Sequence, residues 1–121
     1  ILTTPSGYSV ELPATNTALN IIEDDLIRPI AFSLKQNYPN PFNPSTSISF
    51  ELFEPSDISI NVHDLRGKLV KNLLSGNLNN GAYNIQWNGK NTNGMSVAGG
   101  VYFYSITSGE GTIIKKMSLI K

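Results

Sequence analysis

Cysteine is absent from this 121-residue chain, which excludes disulfide staples, thiolate nucleophiles and thiolate metal sites together. The absence fixes no compartment, because many extracellular bacterial modules fold without disulfides. Net charge is also missing: nine basic residues balance nine acidic ones, and the cations are scattered except near the carboxyl end, so no electrostatic footprint for nucleic acid is present. A single histidine, His63, leaves a metal site or a nucleophile-histidine-acid triad without supporting ligands. No apolar run approaches the ~20 residues that span a bilayer as a helix, so no transmembrane segment is expected. Nor does any stretch carry a helical period over three turns. The first residue is Ile1, with no basic and apolar leader after it; this reads as a mature or excised fragment whose own targeting signal, if any, lay upstream.

What is there alternates. The length suits one domain with one core. Ile48, Phe50 and Leu52 fall on one face of Ser47–Leu52, and Ile58, Ile60 and Val62 on one face of Asp57–His63, the two-residue period of half-buried strands. With Glu54-Pro55-Ser56 between them, the two are expected to form an antiparallel hairpin. Asp64-Leu65-Arg66-Gly67 is a turn in which Gly67 takes positive φ at little steric cost, and a strand over Lys68–Leu74 follows. Gly76 is expected to break the chain, and Asn79-Asn80-Gly81 to close a type I′ hairpin. Tyr83, Ile85 and Trp87 share a face, which places the only tryptophan in the core. Asn88–Gly94 is a polar loop. Val101–Ile106 is apolar on both faces, as a central strand is, and Thr112–Ile120 follows the turn at Ser108-Gly109-Glu110-Gly111.

Five or six such strands at 8 to 12 residue spacing predict an all-β, immunoglobulin-like antiparallel sandwich; an open antiparallel barrel is the alternative. Residues 1–31 differ. Tyr8–Leu12 alternates like a lone strand stopped by Pro13, and small polar residues and the acidic Ile21–Ile27 segment read as an extended linker ending an upstream passenger region. The sandwich is therefore expected over 32–121. Pro39, Pro41 and Pro44 bias their surroundings toward an extended, polyproline-like entry, with Tyr38 and Phe42 as buried pegs that strap the first strand to the domain. Asn88, Asn91 and Asn93 mimic the spacing of a calcium loop, yet neutral amides hold Ca²⁺ weakly without a carboxylate and suit Asx turns better. His63 is expected to face solvent beside Asp64, and no cofactor is implied.

The ordered set Phe32-Ser33-Leu34, Asn37-Tyr38-Pro39-Asn40-Pro41-Phe42-Asn43-Pro44, Val62–Lys68, Gly81-Ala82-Tyr83 running to Trp87-Asn88-Gly89, Gly100-Val101-Tyr102-Phe103-Tyr104 and the Lys-rich terminal strand resembles the type A C-terminal sorting domain of the type IX (Por) secretion system. That family overlaps the Ig-like domain of flagellar hook-capping proteins. The likeness covers residues 32–121. Its polar loop after the tryptophan departs from the family, which commonly carries Asp where this chain has Asn88 and Asn91.

The resemblance implies a non-catalytic tag on a larger secreted protein of a Bacteroidetes-like lineage. Such a tag is read by the type IX translocon from the periplasm and is often removed by a secretion-linked sortase that leaves the passenger at the cell surface. Its motif positions here are Tyr38, Pro39, Pro41, Phe42, Pro44, Gly67, Trp87, Gly100 and Tyr102. A strand edge and a chain terminus are what a translocon can read on a folded β-domain, so Lys115, Lys116, Met117, Leu119 and Lys121 are the candidate recognition residues; lysines that merely guard an edge are the plain alternative. A structural Ig-like appendage and a carbohydrate-binding module, with Tyr83, Trp87, Tyr102, Phe103 and Tyr104 as its stacking platform, are the rival functions.

Overall fold

A computed structural model describes residues 31–109 and 111–121. The lone strand expected at Tyr8–Leu12, the acidic linker and the passenger end lie outside the described residues. Seven strands, β1 (Phe32–Leu34), β2 (Thr46–Leu52), β3 (Ser56–His63), β4 (Leu69–Leu78), β5 (Gly81–Trp87), β6 (Gly100–Ser108) and β7 (Gly111–Leu119), form the described part. They pack as two antiparallel sheets, β1-β2-β5 and β4-β3-β6-β7, an immunoglobulin-like sandwich. Alternation sets the core as expected in β2, where Ile48, Phe50 and Leu52 are buried, and in β3, where Ile58, Ile60 and Val62 are; β6 is interior to its sheet but not covered on both faces, for Tyr102, Tyr104 and Ile106 are buried while Val101 and Phe103 on the outer face are half-buried.

Two connections run differently from the sequence expectation. β2 and β3 are not a hairpin, for β2 pairs with β1 and β5 while β3 pairs with β4 and β6. Glu54-Pro55 carries the chain from one sheet to the other. Likewise Asn79-Asn80 links β4 to β5 across the sandwich, with Gly81 at φ 150°, so no type I′ hairpin forms there. Period and turn chemistry mark a strand's ends without saying which sheet receives the next strand. Gly76 lies inside β4, opposite Ile58, and β4 runs on to Leu78. The true tight hairpin joins β6 to β7, where Ser108 pairs with Gly111.

Tyrosines lock two of the crossings. The Tyr83 hydroxyl donates to the Asn79 carbonyl at 2.7 Å just after the β4–β5 passage, and the Tyr102 hydroxyl donates to the Ala98 carbonyl at 2.6 Å just after the β5–β6 passage. Each reaches four residues back, as in the tyrosine corner of immunoglobulin sandwiches, and satisfies a carbonyl that no ladder can reach. Trp87 closes the core at the Tyr102 end. Its ring meets Phe42 at 5.7 Å and Tyr102 at 5.4 Å between centroids, and its indole N–H donates to the Lys90 carbonyl.

A candidate recognition surface

The segment Lys35–Ser45 is a strap that crosses from β1 to the edge of β7. Phe42 is its peg, buried against Trp87 as expected. Tyr38 is not: its side chain is 80 % exposed, because its backbone pairs with Ser47 and the side chain turns outward. Nor is the strap extended in the polyproline sense. It bends at residues 39–41 and 43–44, and buried polar groups hold the bends. Asn37 Nδ2 donates to the Pro39 carbonyl at 3.1 Å and to Thr46 Oγ1 at 2.9 Å, and Thr46 Oγ1 donates to the same carbonyl at 2.8 Å. Buried polar atoms cost little only when so satisfied.

Four contacts fasten this strap to β7. Phe42 N–H donates to the Ser118 carbonyl and Ile120 N–H to the Phe42 carbonyl, at 2.9 and 2.8 Å. Ser118 N–H donates to Asn40 Oδ1 at 3.0 Å, and Gln36 Nε2 donates to the Lys116 carbonyl at 2.8 Å. The proline-asparagine motif and the basic carboxyl end, far apart in sequence, thus make one surface that exposes Tyr38, Asn40, Pro41, Lys116, Ile120 and Lys121.

The other candidate residues distribute as follows. Met117 and Leu119 are buried in the core, so they are not available to a partner: on β7 they alternate with Lys116 and Ser118 and point inward. Lys115 is half-buried on that inner side, opposite Tyr104. The Pro44 carbonyl approaches Gly89, whose absent Cβ would lie 3.0 Å from it. Gly100 opens β6 opposite Leu119. His63 is a half-buried strand residue rather than a solvated turn residue, opposite Leu69 and Phe103. Of the proposed aromatic platform, Trp87, Tyr102 and Tyr104 are buried, and Tyr83 stacks on Phe50 at 5.2 Å, so no flat row of rings is presented to a sugar.

Two loops have the same design, which the sequence marked only in part. Asp64 Oδ1 accepts the N–H groups of Arg66 and Lys68, both at 2.9 Å, and its carbonyl accepts the N–H of Gly67. Asn91 Oδ1 accepts those of Asn93 and Met95, both at 3.0 Å, and its carbonyl that of Gly94. The glycines have φ of 85° and 80°. Asn91 therefore spends its side-chain oxygen on an Asx turn. These N–H groups hold the Asp64 carboxyl below its ordinary value, the Lys68 amide foremost. An open cleft of about 300 Å³ lies between the loops, with Arg66, Lys68, Asn93 and Tyr102 along it. Among the described residues, no three His, Cys, Asp or Glu side chains come together as metal ligands, and no helix is long and apolar enough to cross a membrane.

With this architecture in view, the relatives are informative. Residues 36–112 match the FlgD Ig-like domain. The chain belongs to the FlgD Ig-like domain family. Basal-body rod modification protein FlgD of Salmonella typhimurium is 34 % identical over 68 residues, 55 % of this chain and 29 % of that protein; the FlgD of Salmonella typhi matches to the same extent. This chain thus spans under a third of the curated FlgD proteins it matches. Two solved structures from Porphyromonas gingivalis share the fold of this FlgD-like module. Dimeric latent PorU superposes with a TM-score of 0.61 at 21 % identity, over 78 % of this chain and 10 % of that one. PorZ, described as a surface component of the type-IX secretion system, gives 0.55 at 21 % identity over 74 % and 12 %.

Proposed function

We propose that this FlgD-like module is a non-catalytic C-terminal sorting domain, read on its outer surface by the type IX secretion machinery and delivering a covalently attached passenger to the medium or the cell surface. The observation that carries this reading is the junction of strap and β7, where the motif Asn37–Pro44 and the basic end of the chain become one exposed surface. Two sequence features that share no local role acquire one when a partner reads them together. The occurrence of the fold in PorU and PorZ supports the same reading.

The test is export of a reporter joined ahead of this chain in a type IX-competent bacterium. Truncation from Lys115 is unsuitable, since it would remove Met117 and Leu119 from the core. A Tyr38→Ala, Lys116→Ala, Lys121→Ala triple variant keeps the core and should leave the reporter in the periplasm while the module stays folded. Normal export by that variant, or equal export in a translocon-deficient strain, overturns the reading. The 34 % identity to FlgD favours a second one, a structural module in a cap-like assembly; a reporter that is never exported while the module enters an oligomer would establish it.

A further inference from the structure

β7 is an edge strand with two unlike halves. Residues alternate in the side to which their backbone points, and the β6–β7 register is regular from Gly100–Leu119 to Ser108–Gly111. The strap takes the Lys116 carbonyl, the Ser118 N–H and carbonyl, and the Ile120 N–H. By the same alternation, Thr112 and Ile114 also direct N–H and C=O outward, and among the described residues no strap or strand meets them. The strap ends where this free half begins.

Its side chains are specific. Ile114 is 62 % exposed and borders an open groove of about 530 Å³ with His63, Leu65 and Phe103. Lys115 points the other way, to the inner side opposite Tyr104, at the open margin of the sandwich. An inward-pointing charge on an edge strand resists the addition of another strand, because an incoming neutral residue would desolvate the ammonium without pairing it. A carboxylate at the facing position removes that objection. Rejection of most strands and acceptance of one class is how specificity is built from a repulsive element.

We infer that the free half of β7, Thr112–Lys115, is a strand-addition site for an extended acidic segment of a partner protein, with a carboxylate facing Lys115 and apolar neighbours beside Ile114. Lys116, the next residue along β7, is exposed and adds positive charge beside Lys115. The inference deepens the recognition role proposed above and rests on it for its biological setting. Its test does not involve export, so either can fail alone.

The experiment uses the ¹⁵N-labelled full chain and three capped pentapeptides, Thr-Val-Glu-Val-Thr and its Gln and Lys counterparts at the centre. The Glu peptide should slow hydrogen exchange at the Thr112 and Ile114 amides and bind about tenfold tighter than the Gln peptide, as charge-paired contacts do, while the Lys peptide has no effect. Lys115→Glu, checked for folding by its Trp87 emission, should reverse the preference. Binding that ignores the central residue, no protection by any peptide, or amides already protected in the free full chain, which would mean that its own amino-terminal segment fills the edge, each overturn the inference.

Discussion

The hydroxyl of Tyr104, on β6, accepts the backbone N–H of Asn37 at 2.8 Å and donates to the Lys35 carbonyl at 2.8 Å. One fully buried phenol thereby satisfies a donor and an acceptor on the strap where it leaves β1. Tyr104→Phe preserves the ring and strands both backbone groups, so it should lower stability by about 1–3 kcal/mol, read by thermal or urea unfolding. An unchanged midpoint would mean that the strap is held elsewhere.

The same burial pushes the Tyr104 phenol up from 10.0 to about 12, and burial also raises that of Tyr102. A group whose proton is held more tightly in the folded state contributes stability below its unfolded value and loses it as pH rises. Stability should therefore hold through neutral pH and fall between about pH 10 and 12. Tyr104→Phe should shrink that alkaline loss without abolishing it, as followed by unfolding midpoints across pH.

At the acid end Asp64 acts in the opposite sense. Its lowered carboxyl contributes stability above its ordinary value, lost as pH falls through the depressed one. The twin loop indicates the control. Asn91 performs the same double acceptance with an amide oxygen, so Asp64→Asn should keep the loop at pH 7 and remove its share of the acid loss, whereas Asp64→Ala should lower the melting temperature at pH 7.

Gly89 and Gly94 separate close approach from backbone conformation. Both have positive φ, but a Cβ meets the Pro44 carbonyl at 3.0 Å only at Gly89. Gly94→Ala should cost about 1 kcal/mol, and Gly89→Ala more, since the loop must also move off the strap. Equal losses in denaturant unfolding would show that the contact yields freely.

Trp87 tests the core and the sugar-binding rival together. Trp87→Ala should cost about 3–5 kcal/mol and abolish export with the fold, while His63→Ala should alter neither. In the native chain its emission should be blue-shifted and indifferent to oligosaccharides; a red-shifted emission that responds to them would favour the rival.

Much of this sandwich was legible because burial follows the two-residue period. Ile48, Phe50 and Leu52, and Ile58, Ile60 and Val62, declare an inner face whatever their partners, and so does Trp87. Pairing was not legible, since Glu54-Pro55 and Asn79-Asn80 serve equally as hairpin turns or as passages between sheets. Nor was the fate of Tyr38, whose backbone bridge to Ser47 decides its direction. In the candidate surface, residue types pointed to the carboxyl end, but alternation buries Met117 and Leu119 and leaves Lys116 and Lys121 outside.

Local period and turn residues were enough to specify strands packed on one core over the described residues, since both are properties of neighbours along the chain. The fold in three dimensions brings the Asn37–Pro44 strap onto the second half of β7, while among the described residues nothing pairs with the outer edge of Thr112 and Ile114. That arrangement depends on hydrogen bonds between segments some 80 residues apart, which no local pattern encodes.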